Sequence, residues 1–151
     1  KKISPFKYFI SNKKNKPKNT YSSWHLNDNK DSHKIHRGIL KKIDKLTKNI
    51  SLDHFVIKNK IKDQIILKID VDGFEMDVLK SSIKTLKNKK PIIFMEYAPY
   101  SFEEYGSNVK EFFNFLKKYK YQIYDLNFNK LDKIEISPGS SIDIILMSKK
   151  Y

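Results

Sequence analysis

The sequence predicts an α/β fold on a mostly parallel sheet whose last strand runs antiparallel. Three observations carry that prediction. From residue 65 onward the patterning alternates strand, helix, strand, helix, strand, the order that right-handed crossovers between parallel strands require. The run IILKIDV at 65–71 is almost wholly β-branched and aliphatic, as expected for a strand buried on both faces. Two strands close the chain with no helix between them, which places an antiparallel strand in an otherwise parallel sheet.

Taken in order, Ile3 to Ile10 reads as one short strand, followed by the polar loop SNKKNKPKNT around Pro17. From Asp31 to Leu46, the apolar residues Ile35, Ile39, Ile43 and Leu46 recur at helical spacing, although Gly38 weakens the pattern. Ser51 is placed to cap a short helix bearing Leu52, Phe55 and Val56. After strand 65–71, Asp72–Gly73 makes a turn, and Met76, Leu79, Ile83 and Leu86 define one helix. Pro91 precedes strand 92–97; a loop spans 98–106, where Ser101 and Glu104 are spaced as a capping box. Val109, Phe112, Phe113, Leu116 and Tyr119 share a helix face, strand 121–126 follows, Asn127–Lys130 opens a small hairpin, and strand 141–148 closes the chain.

With 151 residues, the chain has the length of one domain or part of one. It has no cysteine, hence no disulfide, no thiol nucleophile and no Cys-based zinc site. No apolar run approaches the roughly 18 residues of a membrane span, and the charged opening residues lack a secretory core, so a cytoplasmic protein is expected. Net charge is +14, with lysine supplying 30 of the 31 basic residues. Lys, Ile and Asn together make 62 residues, an excess that AT-rich codons explain without a polyanion partner. The charge is also lopsided: residues 1–62 carry 17 basic and 4 acidic side chains, residues 63–151 carry 14 and 13. A single arginine, Arg37, leaves almost none of the bidentate contacts that read phosphate and guanine, so no specific nucleic-acid partner is expected. The histidines, His25, His33, His36 and His54, complete no metal-ligand pattern; Trp24 and His25 read as ordinary packing.

The densest polar cluster is K-I-D-V-D-G-F-E, with Lys68, Asp70, Asp72, Gly73 and Glu75. Ligands of open α/β sheets collect at the carboxyl ends of strands, where Asp70 and Asp72 stand. Side chains two apart on a strand share a face, so Lys68 joins them, and a buried lysine needs a carboxylate partner. Glu96 occupies the matching end of the next strand, so four charged groups converge on one rim. A purely structural reading is a turn at Asp72–Gly73, a helix cap from Asp70, and Glu75 in a first turn favoured by the helix dipole. The D-x-D-G of haloacid-dehalogenase phosphatases fits poorly, because Phe74 follows where Thr is usual and 69 residues precede Asp70. The metal-binding D-x-D of nucleotide-sugar transferases is equally weak.

A wider string is more specific. S-L-D-H-F-V-I-x-N-K-I (51–61), I-L-K-I-D-V-D-G-F-E-M-D-V-L-K-S (66–81) and K-P-I-I-F-M-E (90–96) resemble the FkbM family of S-adenosylmethionine-dependent methyltransferases in order and spacing. Asp72 replaces the commoner Glu, and Ser81 the commoner Gly. The resemblance implies the C-terminal half of a class I, Rossmann-like methyltransferase fold, with 65–71, 92–97, 121–126 and 141–148 as its fourth to seventh strands. It implies methyl transfer from S-adenosylmethionine to a hydroxyl of a sugar or other small metabolite. The family's D-x-G-x-x-x-G loop has no counterpart among Gly38, Gly73, Gly106 and Gly139. The expectation is therefore a fragment: residues 1–50 a variable basic segment around the third strand, residues 51–151 the C-terminal half, the cofactor-binding half missing and the chain alone inactive. Within that frame Asp70 is expected nearest the transferred methyl and the cofactor, with Lys68 as its electrostatic partner. Asp72, Glu75 and Glu96 orient the substrate. The alternative is a free-standing basic binding module without catalysis, which steep salt dependence of polyanion binding would reveal.

Overall fold

A computed structural model describes residues 3–14, 17–21, 40–137 and 139–149. Four short strands come first: β1 (Tyr8–Ile10), β2 (Asn19–Tyr21), β3 (Leu40–Lys42) and β4 (Lys48–Ile50). β1 pairs parallel with β4, and β2 antiparallel with β3. Next are α1 (Leu52–Lys58), β5 (Ile66–Ile69), α2 (Glu75–Lys80), α3 (Ile83–Lys89) and β6 (Ile92–Tyr97). Then follow α4 (Pro99–Glu104), α5 (Val109–Tyr119), β7 (Tyr121–Tyr124), β8 (Lys130–Leu131) and β9 (Ile142–Ser148).

The main sheet has the order β5-β6-β9-β7-β8. β5 and β6 are parallel, with Lys68 opposite Phe94. β9 inserts between β6 and β7, antiparallel to both, so the last strand runs as its lack of a preceding helix predicts. β7 and β8 form the small hairpin. Its turn is tied by Asp125, whose Oδ1 accepts the backbone N–H groups of Asn127 (2.9 Å) and Asn129 (2.8 Å).

Strand alternation selects the core. Ile69, Ile93, Met95, Tyr97, Tyr121, Ile123, Ile144 and Leu146 are buried with Leu79, Leu86, Phe102, Phe112, Phe115 and Leu116 from the helices. Each fully buried large side chain contributes about 1.5–3 kcal/mol, so this core between sheet and helices is a main source of stability.

Several expectations are corrected. β5 is not buried on both faces: it lies at the edge of the described sheet, Leu67 and Ile69 face the core, and Ile66 is 66% exposed. The helix expected over 31–46 is absent from its described part. Residues 40–42 are strand, and Asp44 Oδ1 accepts the Leu46 N–H (2.9 Å), an Asx turn that competes with helix; residues 31–39 lie outside the described residues. The helix expected through 74–86 is two helices. At the junction the buried Ser81 and Ser82 hydroxyls donate to the carbonyls of Val78 (2.8 Å) and Leu79 (2.7 Å), giving the backbone an alternative to continued helix. The loop expected at 98–106 contains α4, which starts at Pro99, a residue preset for a first helical position. Ser101 is therefore no cap; its hydroxyl donates back to Ala98 O (2.7 Å). On α5 the buried stripe runs through Phe112, Phe115 and Leu116, leaving Phe113 38% exposed. No helix among the described residues is long and apolar enough to cross a membrane.

Candidate functional site

The carboxyl ends of β5 and β6 form an acidic rim. β5 ends at Ile69, and the chain then turns through Asp70, Val71, Asp72 and Gly73 into α2. The turn needs left-handed backbone at two consecutive residues: φ is +48° at Asp72 and +100° at Gly73. An aspartate tolerates that region better than most side chains, and glycine has no Cβ to oppose it. Gly73 is required sterically as well, because a Cβ there would overlap the Tyr105 ring, which packs over the turn and contacts Phe74 at a centroid separation of 4.4 Å.

Glu75 holds the turn from beneath. It is 1% exposed, and its Oε1 accepts the N–H groups of Gly73 (3.1 Å) and Val71 (3.3 Å). Its Oε2 is buried with no hydrogen-bond partner among the described residues. Burial raises the carboxyl above its ordinary value against the pull of those amides, and the nearby charge of Glu96 raises it further.

Lys68 stands on the solvent side of β5, its side chain 54% exposed rather than buried as expected. It does find carboxylate partners: Asp70 Oδ2 at 3.3 Å and Asp143 Oδ1 at 3.4 Å. Burial pulls the ammonium down, but hydrogen bonds and charge from Asp70 and then Asp143 outweigh it and hold the group above its ordinary value. Exposed pairs of this kind contribute about 0–1 kcal/mol, so their role is to orient side chains. Glu96, half-buried near the end of β6, lies opposite Asp143 in register, and its Oε1 accepts the Ser141 hydroxyl at 2.5 Å.

The structure thus joins Lys68 to Asp70 directly, sets Glu96 beside Asp143, and couples Glu75 to Glu96 through charge. Asp72 reaches the same turn on an exposed, left-handed residue. Asp143 and Ser141 were missed. Their signal is the string S-I-D, where polar residues interrupt an otherwise apolar closing strand. Antiparallel insertion brings the start of β9 to the end of β6, which is what delivers them to the rim.

The S-L-D block does structural work. The Ser51 hydroxyl accepts the His54 N–H (3.1 Å) and caps α1 as expected. Asp53 caps α3: Oδ2 accepts Lys84 N–H (2.9 Å), while Oδ1 accepts Thr85 N–H (2.7 Å) and the Thr85 hydroxyl (2.8 Å). Leu52 N–H donates to Ser81 Oγ (3.1 Å) and Asp53 N–H to the Ser81 carbonyl (3.1 Å), so blocks some thirty residues apart are interlocked. No group of three His, Cys, Asp or Glu side chains among the described residues is arranged to hold a metal ion. Trp24, His25, His33 and His36 lie outside those residues.

A family model described as the methyltransferase FkbM domain matches residues 3–123, extending the resemblance of 51–97 upstream through the first short strands and downstream to β7. Searches of curated proteins and of solved structures give no match.

Proposed function

The chain belongs to the FkbM methyltransferase family, and on that premise we propose that it serves methyl transfer from S-adenosylmethionine to a hydroxyl of a sugar or comparable small metabolite. The observation that carries the reading to residues is the acidic rim at the carboxyl ends of two parallel strands, where α/β sheets place ligands. The strand order β5-β6-β9-β7, with β9 antiparallel, supports reading 51–151 as the C-terminal half of a class I, Rossmann-like domain. Residues 1–50 are then its variable basic segment.

S-adenosylmethionine supplies, when bound, an electrophilic methyl group on a cationic sulfonium. The rim fits a cation: among the described residues Asp70, Asp72, Glu96 and Asp143 gather at the strand ends around Lys68. Adenine and ribose are assigned no residue here. In-line displacement demands alignment above all, with a base at most for the hydroxyl proton. Asp70 is the group we place at the acceptor hydroxyl, accepting its proton at a carboxylate oxygen, because it is exposed where β5 ends. Lys68, 3.3 Å away, fixes the direction of that carboxylate. Asp72 and Glu96 accept hydrogen bonds from further hydroxyls of the acceptor, and Glu75 orients the substrate indirectly by shaping the turn that presents Asp70 and Asp72.

The test is incubation of the complete enzyme, with both halves of the domain, with methyl-labelled S-adenosylmethionine and a panel of sugars and glycosides. In that enzyme Asp70→Asn lowers label transfer by about tenfold or more with the thermal midpoint unchanged. Wild-type transfer by that variant refutes the role of Asp70; label reaching only nitrogen or carbon acceptors refutes the hydroxyl assignment.

A further inference from the structure

Away from the acidic rim, β1 and the loop after it, β4 and α1 surround a cavity of about 500 Å³, a volume suited to a small metabolite. Among the described residues Lys13, Lys14, Lys48 and Lys58 line it, and no carboxylate is part of the lining. Two of these lysines are held in place. Lys13 Nζ is 2.7 Å from Asp77 Oδ2, and Lys58 Nζ is 3.2 Å from the Tyr8 hydroxyl and 5.5 Å over the Tyr8 ring.

Two hydroxyl residues, Ser11 and Ser51, also line the cavity. Ser11 is 2% exposed, and its Oγ accepts Lys13 N–H at 3.0 Å. Ser51 Oγ accepts His54 N–H at 3.1 Å. Each oxygen is thereby used as an acceptor, and neither hydroxyl proton has an acceptor among the described residues. Asp77 engages Lys13 from outside the lining, so Lys14, Lys48 and Lys58, with the Ser11 and Ser51 hydroxyls, make up the part of the wall complementary to a compact, multiply charged anion.

This cavity and a second one share a lining of four lysines and differ in the rest of their walls. The second, about 540 Å³, is lined by four lysines (117, 120, 130 and 149), yet it carries Asp132, which pairs with Lys130 at 2.9 Å, and an apolar wall including Phe113, Leu116 and Leu131. We propose that the cavity between β1, β4 and α1 binds the phosphate groups of a small phosphorylated metabolite. The proposal stands on this cavity and does not depend on methyl transfer.

Calorimetric titration of the whole chain with inorganic pyrophosphate, at an ionic strength of about 0.15 M, tests it. One saturable site is expected. The double variant Lys48→Gln/Lys58→Gln weakens it by about tenfold or more, and Ser11→Ala by about threefold, since hydrogen bonds to charged groups are the strong ones. The matched pair Lys117→Gln/Lys120→Gln, which leaves the cavity intact, stays within about twofold of wild type. Circular dichroism confirms that each variant is folded. Absence of saturable binding, equal losses from both lysine pairs, or an unaffected Ser11→Ala overturns the proposal. So does a single-stranded oligonucleotide that binds more tightly and depends on both pairs, because that pattern marks diffuse polyanion attraction.

Discussion

Replacing Gly73 by alanine strikes the turn that aims Asp70 and Asp72. Two costs are read from the geometry. At φ +100° an L side chain is strained, which costs about 1–2 kcal/mol. The new Cβ also lies inside the Tyr105 ring and 3.3 Å from Ser101 Cβ, so α4 or the ring must shift, at about 1–3 kcal/mol for overpacking. The sum, roughly 2–5 kcal/mol, is a large part of the 5–15 kcal/mol typical of a domain. Urea denaturation of four proteins separates the two: wild type, Gly73→Ala, Tyr105→Ala and the double variant. In the Tyr105→Ala background the alanine costs only the backbone part, so the cycle gives a coupling of about 1–3 kcal/mol. A total loss below about 1 kcal/mol, or additive single effects, refutes the packing of Tyr105 on the turn.

Asp53→Ala leaves two amides of the α3 first turn and the Thr85 hydroxyl without their acceptor, and is expected to lower stability by roughly 2–4 kcal/mol in the same assay. A loss under about 0.5 kcal/mol excludes the capping role. Glu75, raised by burial above its ordinary 4.5, holds its proton more firmly folded than unfolded. That contribution is full below 4.5 and is lost as pH rises through the raised value, so Glu75→Gln gains on wild type as pH climbs above 4.5; a constant difference across the range rules this out. Glu111 has the opposite sign: the hydrogen bond from Lys80 (2.7 Å) and then that from Ser107 (2.5 Å) hold its carboxyl below the ordinary 4.5. Its contribution is present above 4.5 and fades as pH falls through the depressed value, so Glu111→Gln flattens the acid side of the stability profile, and an unchanged acid limb counts against the pairing.

Local pattern was enough for β5, β6, α5, β7 and β9, because alternation and helical spacing of apolar residues are properties of a few neighbouring positions. It was enough for the Ser51 cap for the same reason, and for the three motif blocks that name the family. It failed where a polar side chain competes for backbone groups. Asp44 forms an Asx turn with Leu46 where a helix end was predicted, and Ser81 with Ser82 cut one helix into two. Both are decided by hydrogen bonds that periodicity does not encode.

The candidate site divides along the same line. Asp70, Asp72 and Glu75 were legible together because they sit within six residues on a strand end and the turn after it. Which way each faces was not. Lys68 looks buried when the strand is read as a two-sided run, and a place in a helix first turn says nothing of whether Glu75 is buried. The position of β5 at the described sheet edge reverses the first reading, and the packing of α2 against the core decides the second. Asp143 meets Lys68 from 75 residues away, and Asp53 caps a helix 31 residues on, since register and packing between distant segments are settled by burial of the whole core. The sequence by itself therefore determined β5, β6, α5, β7 and β9, the family and the acidic cluster. Tertiary structure alone decided which carboxylates meet solvent, which one is buried and raised, and which lysines share a wall, because each of those depends on what a second segment excludes from water.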